Sequence, residues 1–164
     1  MKNYKKNLKI LEDGHVYSKE MEHDACGVGL IASTEGKKSR KVVEYGINAL
    51  KAVWHRGAVD ADGKTGDGAG IHLEIPSDFF AEKIELTGHD HDGSEICVGM
   101  IFLPRNNYQA QENARTLVES ELTKSNFSIY GWRQVPVNPK VLGEKANLTR
   151  PEITQVLFKH NNKD

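Results

Sequence analysis

The chain has 164 residues, of which 38% are hydrophobic and 27% charged, and its formal net charge is −1. This composition predicts one globular domain that buries a core, and the absence of a basic excess argues against nucleic acid as a partner. The longest apolar runs fall far short of the roughly 20 residues of a membrane-spanning helix. Two cysteines are too few for a disulfide framework and residues 1–25 lack the apolar centre of a secretory signal, so we expect a cytoplasmic protein.

Residues 1–25 mix lysines with acidic residues and show no core pattern. Two interpretations stay open: a disordered tail, or a pro-segment that is removed from the mature protein. The segment ends at Cys26, where an apolar, β-prone run begins. The functional question is therefore whether Cys26 is a packed strand residue or the first residue of the mature chain.

The first half of the chain alternates strand and helix patterns. Residues 28–33 predict a buried strand, and residues 71–75 predict a half-buried strand that Pro76 stops. Between them, Ser39 can cap a helix, and residues 57–70 form a loop rich in glycine and aspartate. The apolar residues of that helix recur on one face: Val43, Ile47, Leu50 and Trp54.

The second half continues the pattern. Ser77 and Asp78 open a short helix through Phe79, Phe80 and Ile84, and residues 87–95 predict an exposed turn. A continuous apolar strand is expected at 96–103. Asn106 or Asn107 can cap the long helix that follows, whose expected inner face is Ala110, Ala114, Leu117, Val118 and Leu122.

The last third is less regular. Residues 127–135 predict a strand, residues 141–143 a helix stub, and residues 153–158 either a strand or a helix end. The segments are too irregular for repeated βαβ units. We therefore predict an α+β layered domain whose sheet is mostly antiparallel.

Several short motifs have ordinary explanations. Residues 63–65 fail the phosphate-loop pattern because Ala58 occupies the position of its first glycine, and nearby aspartates would repel a nucleotide. The His-Asp-His-Asp run at 89–92 offers metal-ligand types, but a polar turn lacks the rigid spacing of a metal site, so we expect a solvated loop and no bound metal. Cys97 lies within an apolar strand and is expected to act as a small hydrophobic residue.

Cys26 differs from Cys97 because its position permits a specific mechanism. A thiol needs a nearby base to become a good nucleophile at neutral pH. If the chain is cut before Cys26, the freed α-amino group, with a pKa near ~8, becomes that base. The residues alone leave a catalytic Cys26 and a packed strand cysteine both open.

An ordered set of motifs resembles the class II glutamine amidotransferases, and within them the amidotransferase domain of glutamate synthase large subunits. The set begins with EHDACGVG at 22–29 and HRGA at 55–58, and it runs almost to the end of the chain. Its further members are ADGKTGDGAG at 61–70, Pro76 with FF at 79–80, VGM at 98–100 with FLP at 102–104, GWR at 131–133 with VP at 135–136, and LG at 142–143.

The resemblance implies an N-terminal nucleophile hydrolase fold, an αββα sandwich, with residues 1–25 removed to expose Cys26. Residues 26–164 would be the amino-terminal part of the amidotransferase domain. Cys26 would attack glutamine and release ammonia, and Arg56 would help to shape the glutamine pocket; a helix-end arginine that binds last-turn carbonyls is the alternative. In the complete enzyme, FMN and an iron–sulfur cluster are implied as cofactors, with ferredoxin or a nicotinamide-dependent small subunit as partner.

The chain departs from the family pattern in one respect. It has no Asn-Gly dipeptide, whereas the family's later part supplies such a pair for the oxyanion hole. Loss of an oxyanion donor costs on the order of a hundredfold in rate. We therefore expect an amino-terminal fragment with an incomplete sandwich and little activity of its own. Another class II amidotransferase, or an inactive remnant that acts as a binding module, is the alternative.

Overall fold

A computed structural model describes residues 2–14, 27–54 and 57–161 of the chain. The chain divides into two units, residues 1–56 and residues 57–164. The first unit contains helices α1 (Lys2–Asp13) and α2 (Arg40–Ala52). The second unit contains, in chain order, α3 (Ser77–Glu85), β1 (Cys97–Leu103), α4 (Tyr108–Lys124), β2 (Phe127–Gln134), a 3-10 helix (Pro139–Val141), α5 (Glu144–Thr149) and β3 (Glu152–His160).

Helix α2 begins where the sequence predicts. The side chain of Ser39 accepts a hydrogen bond from the backbone N–H of Lys41, which confirms Ser39 as the N-cap. The helix ends at Ala52 with Val53 as its C-cap, so Trp54 lies beyond it and is 74% exposed. The prediction that Trp54 belongs to the apolar face of the helix is wrong, because the helix ends at Ala52, two residues before Trp54. Helix α1 occupies part of the amino-terminal segment, which neither interpretation of residues 1–25 included.

Two predicted strands do not form ladders. Residues 28–33 and residues 71–75 carry no strand in the structure, and neither segment pairs with another strand among the described residues. Val28 and Leu30 are 91% and 89% exposed, so the prediction of a buried strand at 28–33 is wrong. The reason is that an extended segment becomes a strand only when a neighbour binds its backbone groups.

The second unit is built on a three-stranded antiparallel sheet in the order β1-β3-β2. This sheet confirms the antiparallel prediction, and of the two possibilities for residues 153–158 the strand is correct. The central strand β3 pairs Leu157 with Val98 of β1 and with Gly131 of β2, and a register shift lies between Ile129 and Gly131. The described residues thus combine one antiparallel sheet with several helices.

The core packs on both faces of β3. Leu157 and Val156 point to opposite faces because neighbouring strand residues alternate, and both are almost fully buried. On the face of Leu157, helix α3 and the adjacent strands complete a hydrophobic cluster that consists of Phe80, Ile84, Ile96, Tyr130 and Leu157. The predicted short helix is confirmed, and the structure shows that two of its apolar residues, Phe80 and Ile84, are buried.

Helix α4 packs mainly against β2. The indole N–H of Trp132 donates to Glu119 at 2.6 Å, and the guanidinium of Arg115 lies 5.8 Å from the centre of the Trp132 ring. Asn107 caps the helix by accepting from the N–H of Ala110. Four of the five predicted inner-face residues are half-buried, but Leu117 is exposed. The prediction that Leu117 lies on the inner face is wrong. The sheet covers only part of the apolar face of α4, and Leu117 lies outside the covered part.

Residues 135–151 connect β2 to β3 through two short helices. Asn138 caps the 3-10 helix, Val141 ends it, and Gly143 is the N-cap of α5. The predicted stub at 141–143 therefore contains the last residue of the 3-10 helix and the two residues between it and α5, and the sequence analysis missed α5. None of the helices in the described ranges is long and apolar enough to cross a membrane.

Candidate functional site

Both predicted site residues, Cys26 and Arg56, lie outside the described residues. The structure describes what adjoins them along the chain. After Cys26, residues 27–33 are exposed, and an ideal Cβ placed at Gly29 meets no atom within 4 Å. After Arg56, the chain enters the glycine-rich loop at 57–70, which the structure describes in full.

The loop begins as a small hairpin. Val59 and Gly66 form an antiparallel bridge. Around it, the N–H of Ala58 donates to Asp67 Oδ2 at 2.8 Å, and the N–H of Asp67 donates back to the carbonyl of Ala58 at 3.2 Å. The N–H of Asp60 donates to the carbonyl of Thr65 at 2.6 Å. These bonds give residues 58–67, called the hairpin below, a defined shape without apolar packing.

Asp62 organises the tip of the hairpin. Its carboxylate accepts from the Thr65 hydroxyl at 2.5 Å and from the backbone N–H groups of Thr65 and Lys64 at 2.7 and 2.9 Å. These bonds, with the Thr65 hydroxyl first, hold the pKa of Asp62 well below its usual range because they stabilise the charged form. In a phosphate-binding loop such N–H groups would face the nucleotide. Here these N–H groups donate to the Asp62 carboxylate, which agrees with the sequence argument against nucleotide binding.

The hairpin is clamped onto the start of α5. Lys145 Nζ lies 2.8 Å from both carboxylate oxygens of Asp60, and the N–H of Ala146 donates to Thr65 Oγ1 at 3.4 Å. A Cβ at Gly143 would overlap Thr65 Oγ1 and Asp62 Oδ2 and would lie 2.5 Å from the Thr65 nitrogen. We call these contacts the hairpin clamp.

The sequence analysis did not find this clamp. It named Gly143 only as part of a motif shared with the amidotransferases, and it gave Lys145 no role. About 85 positions separate Lys145 from Asp60, and no local pattern connects residues so far apart.

The run at 89–92 binds protein atoms. His89 Nδ1 lies 3.1 Å from the Thr87 hydroxyl, and His91 Nε2 lies 2.9 Å from the carbonyl of Ser94. Asp92 accepts from the N–H of Ser94 at 3.1 Å. Within the part of the chain that the structure describes, no group of three or more His, Cys, Asp or Glu side chains is placed to hold a metal ion.

Asp92 also joins a polar cluster at the edge of the core. It pairs with Lys159 and accepts from the hydroxyl of Tyr130 at 3.4 Å. The Lys159 contact contributes most to holding the pKa of Asp92 well below its usual range, and the same bond raises the pKa of Lys159. Burial, followed by the charge of Asp92, raises the pKa of Tyr130. The cluster is therefore a structural network in which each charge has a partner.

Cys97 lies half-buried at the start of β1. Burial first, and the charge of Glu95 second, raise the pKa of its thiol. A raised pKa lowers the thiolate fraction and hence the reactivity. The structure thus agrees with the prediction that Cys97 is a small packing residue.

A family model described as "Glutamine amidotransferases class-II" matches residues 26–164. The chain belongs to this family. The match begins at Cys26, the residue that the sequence analysis singled out. The resemblance drawn from the ordered motifs is therefore confirmed at the level of the amidotransferase family.

Curated relatives narrow the comparison within the amidotransferases. The chain is 54% identical over 159 residues to the glutamate synthase [NADPH] large chain of Azospirillum brasilense, and the match covers 97% of this chain and 10% of that protein. It is 42% identical over 137 residues to ferredoxin-dependent glutamate synthase 2 of Synechocystis, covering 83% of the chain and 9% of the relative. It is 37% identical over 148 residues to glutamate synthase [NADH] of Saccharomyces cerevisiae, covering 87% and 7%. The chain spans about a tenth or less of the length of these relatives.

Proposed function

We propose that this chain is the amino-terminal part of the glutaminase domain of a glutamate synthase large subunit, with Cys26 as its nucleophile. The observation that carries the proposal is the family match that begins at Cys26, together with identity to glutamate synthases over most of the chain. Residues 1–25 are then a pro-segment, and residues 26–164 belong to the amidotransferase domain. The finer fold proposed for the complete domain is the αββα sandwich of N-terminal nucleophile hydrolases.

The reaction uses the first residue of the processed chain twice. The α-amino group of Cys26 takes the thiol proton, and the thiolate attacks the side-chain amide carbon of glutamine. The tetrahedral intermediate collapses to a γ-glutamyl thioester as the amide nitrogen takes the proton and leaves as ammonia. Water, deprotonated by the same amine, then cleaves the thioester, which releases glutamate and restores the thiol.

Arg56 is proposed to bind glutamine next to the nucleophile. A guanidinium presents several N–H donors in a fixed plane and pairs well with a carboxylate such as that of the amino-acid substrate. We therefore expect Arg56→Lys to raise KM for glutamine with little change in kcat, because the substitution keeps the charge and removes the two-pronged geometry.

The ammonia would be used by the complete enzyme in the reductive amination of 2-oxoglutarate to glutamate. FMN and an iron–sulfur cluster supply that chemistry, and ferredoxin or a nicotinamide-dependent subunit would deliver the electrons. An iron–sulfur cluster needs several cysteine thiolates, whereas this chain has two cysteines and Cys97 lies in the core sheet. The residues of this chain therefore do not fit the cluster, and we assign the redox site to other parts of the enzyme.

The first experiment measures the intact mass and the amino-terminal sequence of the chain, both alone and extended by the sequence that continues its reading frame. We expect the extended product to begin at Cys26. A soluble, folded extended product that keeps residues 1–25 would contradict the nucleophile assignment. Processing in the extended form alone would show that additional sequence completes the site.

The second experiment assays glutamate release from glutamine. Cys26→Ala should lower kcat by at least about a thousandfold, since it removes the attacking atom. Cys97→Ala is the matched control and should keep the rate. Equal activity in both variants would contradict Cys26 as the nucleophile, and a wild-type protein without activity would favour the inactive remnant. Another product of ammonia transfer would indicate a different class II amidotransferase.

A further inference from the structure

A pocket of about 470 Å³ lies at one end of the sheet in the second unit. Two segments line it: residues 102–107, which lead from β1 into α4, and residues 148–151, which lead from α5 into β3. They are neighbours because Leu103 of β1 pairs with Glu152 of β3 at this end of the sheet. The volume lies within the range of about 300–1,000 Å³ that is usual for small-molecule sites, so the pocket can hold a small organic molecule.

Hydrogen bonds fix both segments in place. The side chain of Gln111, which is only 9% exposed, donates to the carbonyls of Pro104 and Arg105 at 2.9 and 3.3 Å. In the other segment, the hydroxyl of Thr149 donates to the carbonyl of Lys145 at 3.3 Å within the last turn of α5. The walls of the pocket are thus formed without a ligand, which lowers the ordering cost of binding.

Two arginines give the pocket its charge. Arg105 is half-buried, and its side chain forms no hydrogen bond or ion pair within the described ranges. Arg150 is also half-buried, and its Nε donates at 2.8 Å to the neutral amide oxygen of Asn147. None of the described residues that line the pocket is acidic, and the adjacent Glu152 bonds to Gln134 outside it. Two partly desolvated cations therefore lack an anionic partner, which a bound anion would supply.

Apolar side chains lie beside the two arginines. Phe102 and Leu148 both line the pocket, and they are 63% and 72% exposed. Covering exposed apolar surface is favourable, so these side chains favour a ligand with a carbon chain over a bare inorganic anion. A guanidinium pairs with a carboxylate through two parallel N–H bonds. The lining thus suits a molecule with one carboxylate for each arginine and a carbon chain between them.

We propose that this pocket binds a small dicarboxylate, with its carboxylates on Arg105 and Arg150 and its carbon chain against Phe102 and Leu148. The proposed site uses neither of the residues assigned to glutamine hydrolysis. It therefore stands or falls independently of the proposed function.

The test measures the binding of glutarate, a dicarboxylate with a short carbon chain, to the extended protein by isothermal titration calorimetry. Two comparison ligands separate the contributions: pentanoate has the same chain length and a single carboxylate, and inorganic phosphate has no carbon chain. We expect glutarate to bind about tenfold or more tightly than either of them, because each charged hydrogen-bonded pair contributes about a factor of ten or more.

Variants assign the binding to this pocket rather than to another site of the extended protein. Arg105→Met and Arg150→Met should each weaken glutarate binding about tenfold or more, since each removes one carboxylate partner. Lys140→Met is the matched control, because Lys140 is exposed, lies outside the pocket and forms no ion pair within the described ranges. This variant should keep the Kd within twofold.

Amide hydrogen exchange of the wild type gives a second measurement that needs no variant. Glutarate should slow exchange in residues 105–107 and 148–150, because it joins these two segments. This result would locate the site even if an arginine variant did not fold.

Several results would overturn the proposal. They are the absence of glutarate binding, a Kd that both arginine variants leave within twofold of the wild type, and protection from exchange that is confined to other residues. Equal affinity for pentanoate or for phosphate would also overturn it, since one carboxylate or a bare anion would then suffice. Exchange at 105–107 and 148–150 that is already slow without glutarate, together with no binding, would show that another part of the polypeptide covers the pocket instead.

Discussion

Residues 97–103 and residues 28–32 are both short apolar runs, yet they have opposite environments. The first run forms β1, pairs along its whole length with β3, and buries Leu103. The second run carries no strand, and Val28 and Leu30 are almost fully exposed. The difference teaches that apolar composition selects an extended conformation, whereas burial depends on a partner that binds the backbone.

The largest expected contrast concerns apolar side chains. Leu157→Ala removes a side chain that is 0% exposed at the centre of β3, and it should lower the free energy of unfolding by about 2–5 kcal/mol. Leu30→Ala should change it by less than about 0.5 kcal/mol, because the side chain is already in water. Urea denaturation of both variants measures the difference. A large effect of Leu30→Ala would show that residues 27–33 are buried in solution.

A smaller contrast concerns two glycines. A Cβ at Gly99 in β1 would lie 2.8 Å from Val156 Cγ1, whereas a Cβ at Gly29 meets nothing within 4 Å. Gly99→Ala should therefore cost about 1–3 kcal/mol of stability through overpacking, and Gly29→Ala should cost little.

The same pair has an internal check. Val156→Ala in the Gly99→Ala background should cost less than it does in the wild type, because the smaller side chain relieves the overlap. Additive costs for the two substitutions would contradict a direct clash between these positions.

The smallest expected effect is a pH dependence of stability that arises in the hairpin and not in the sheet. Hydrogen bonds keep the pKa of Asp62 below its usual range, so the unfolded chain binds more protons than the folded one as the pH falls below about 4. The stability that Asp62 contributes is present above that pH and is lost as the pH decreases. Asp62→Asn should flatten the acid limb of the stability curve, measured by thermal unfolding between about pH 5 and pH 2.

Asp90→Asn in the loop before β1 is the control for the acid experiment, since Asp90 is exposed and its side chain forms no hydrogen bond or ion pair within the described ranges. An acid limb that changes equally in both variants would contradict a special role of Asp62. Amide hydrogen exchange could follow the same titration residue by residue, and the hairpin should open before the sheet.

Much of the architecture was predictable from local sequence. Ser39 was predicted as one helix cap and Asn106 or Asn107 as another, because such side chains bind N–H groups two or three residues away; the structure shows Ser39 and Asn107 in these roles. Helix α3 and strands β1 and β2 follow from the spacing of apolar residues and from the prolines beside them. The errors at Trp54 and Leu117 have different causes. Periodicity gives the apolar side of a helix, but neither the residue at which the helix ends nor how much of that side a neighbour covers.

The candidate site divides in the same way. Cys26 and Arg56 were selected from motifs, and they remain proposals that lie outside the described residues. The clamp that Gly143 and Lys145 form with Asp60, Asp62 and Thr65 could not be predicted, because it joins segments about eighty residues apart. Such contacts leave no periodic signal in the chain.

By itself, the sequence determined the amidotransferase family, the helix caps and most of the elements, since these depend on motifs and on interactions within a few residues. The tertiary structure alone decided that β3 is the central strand, that residues 28–33 have no partner among the described residues, and that Gly143 must be a glycine. The physical reason is the separation along the chain between the residues that interact. Strand pairing, burial and close approach depend on which distant segments meet, and that is fixed only when the chain is folded.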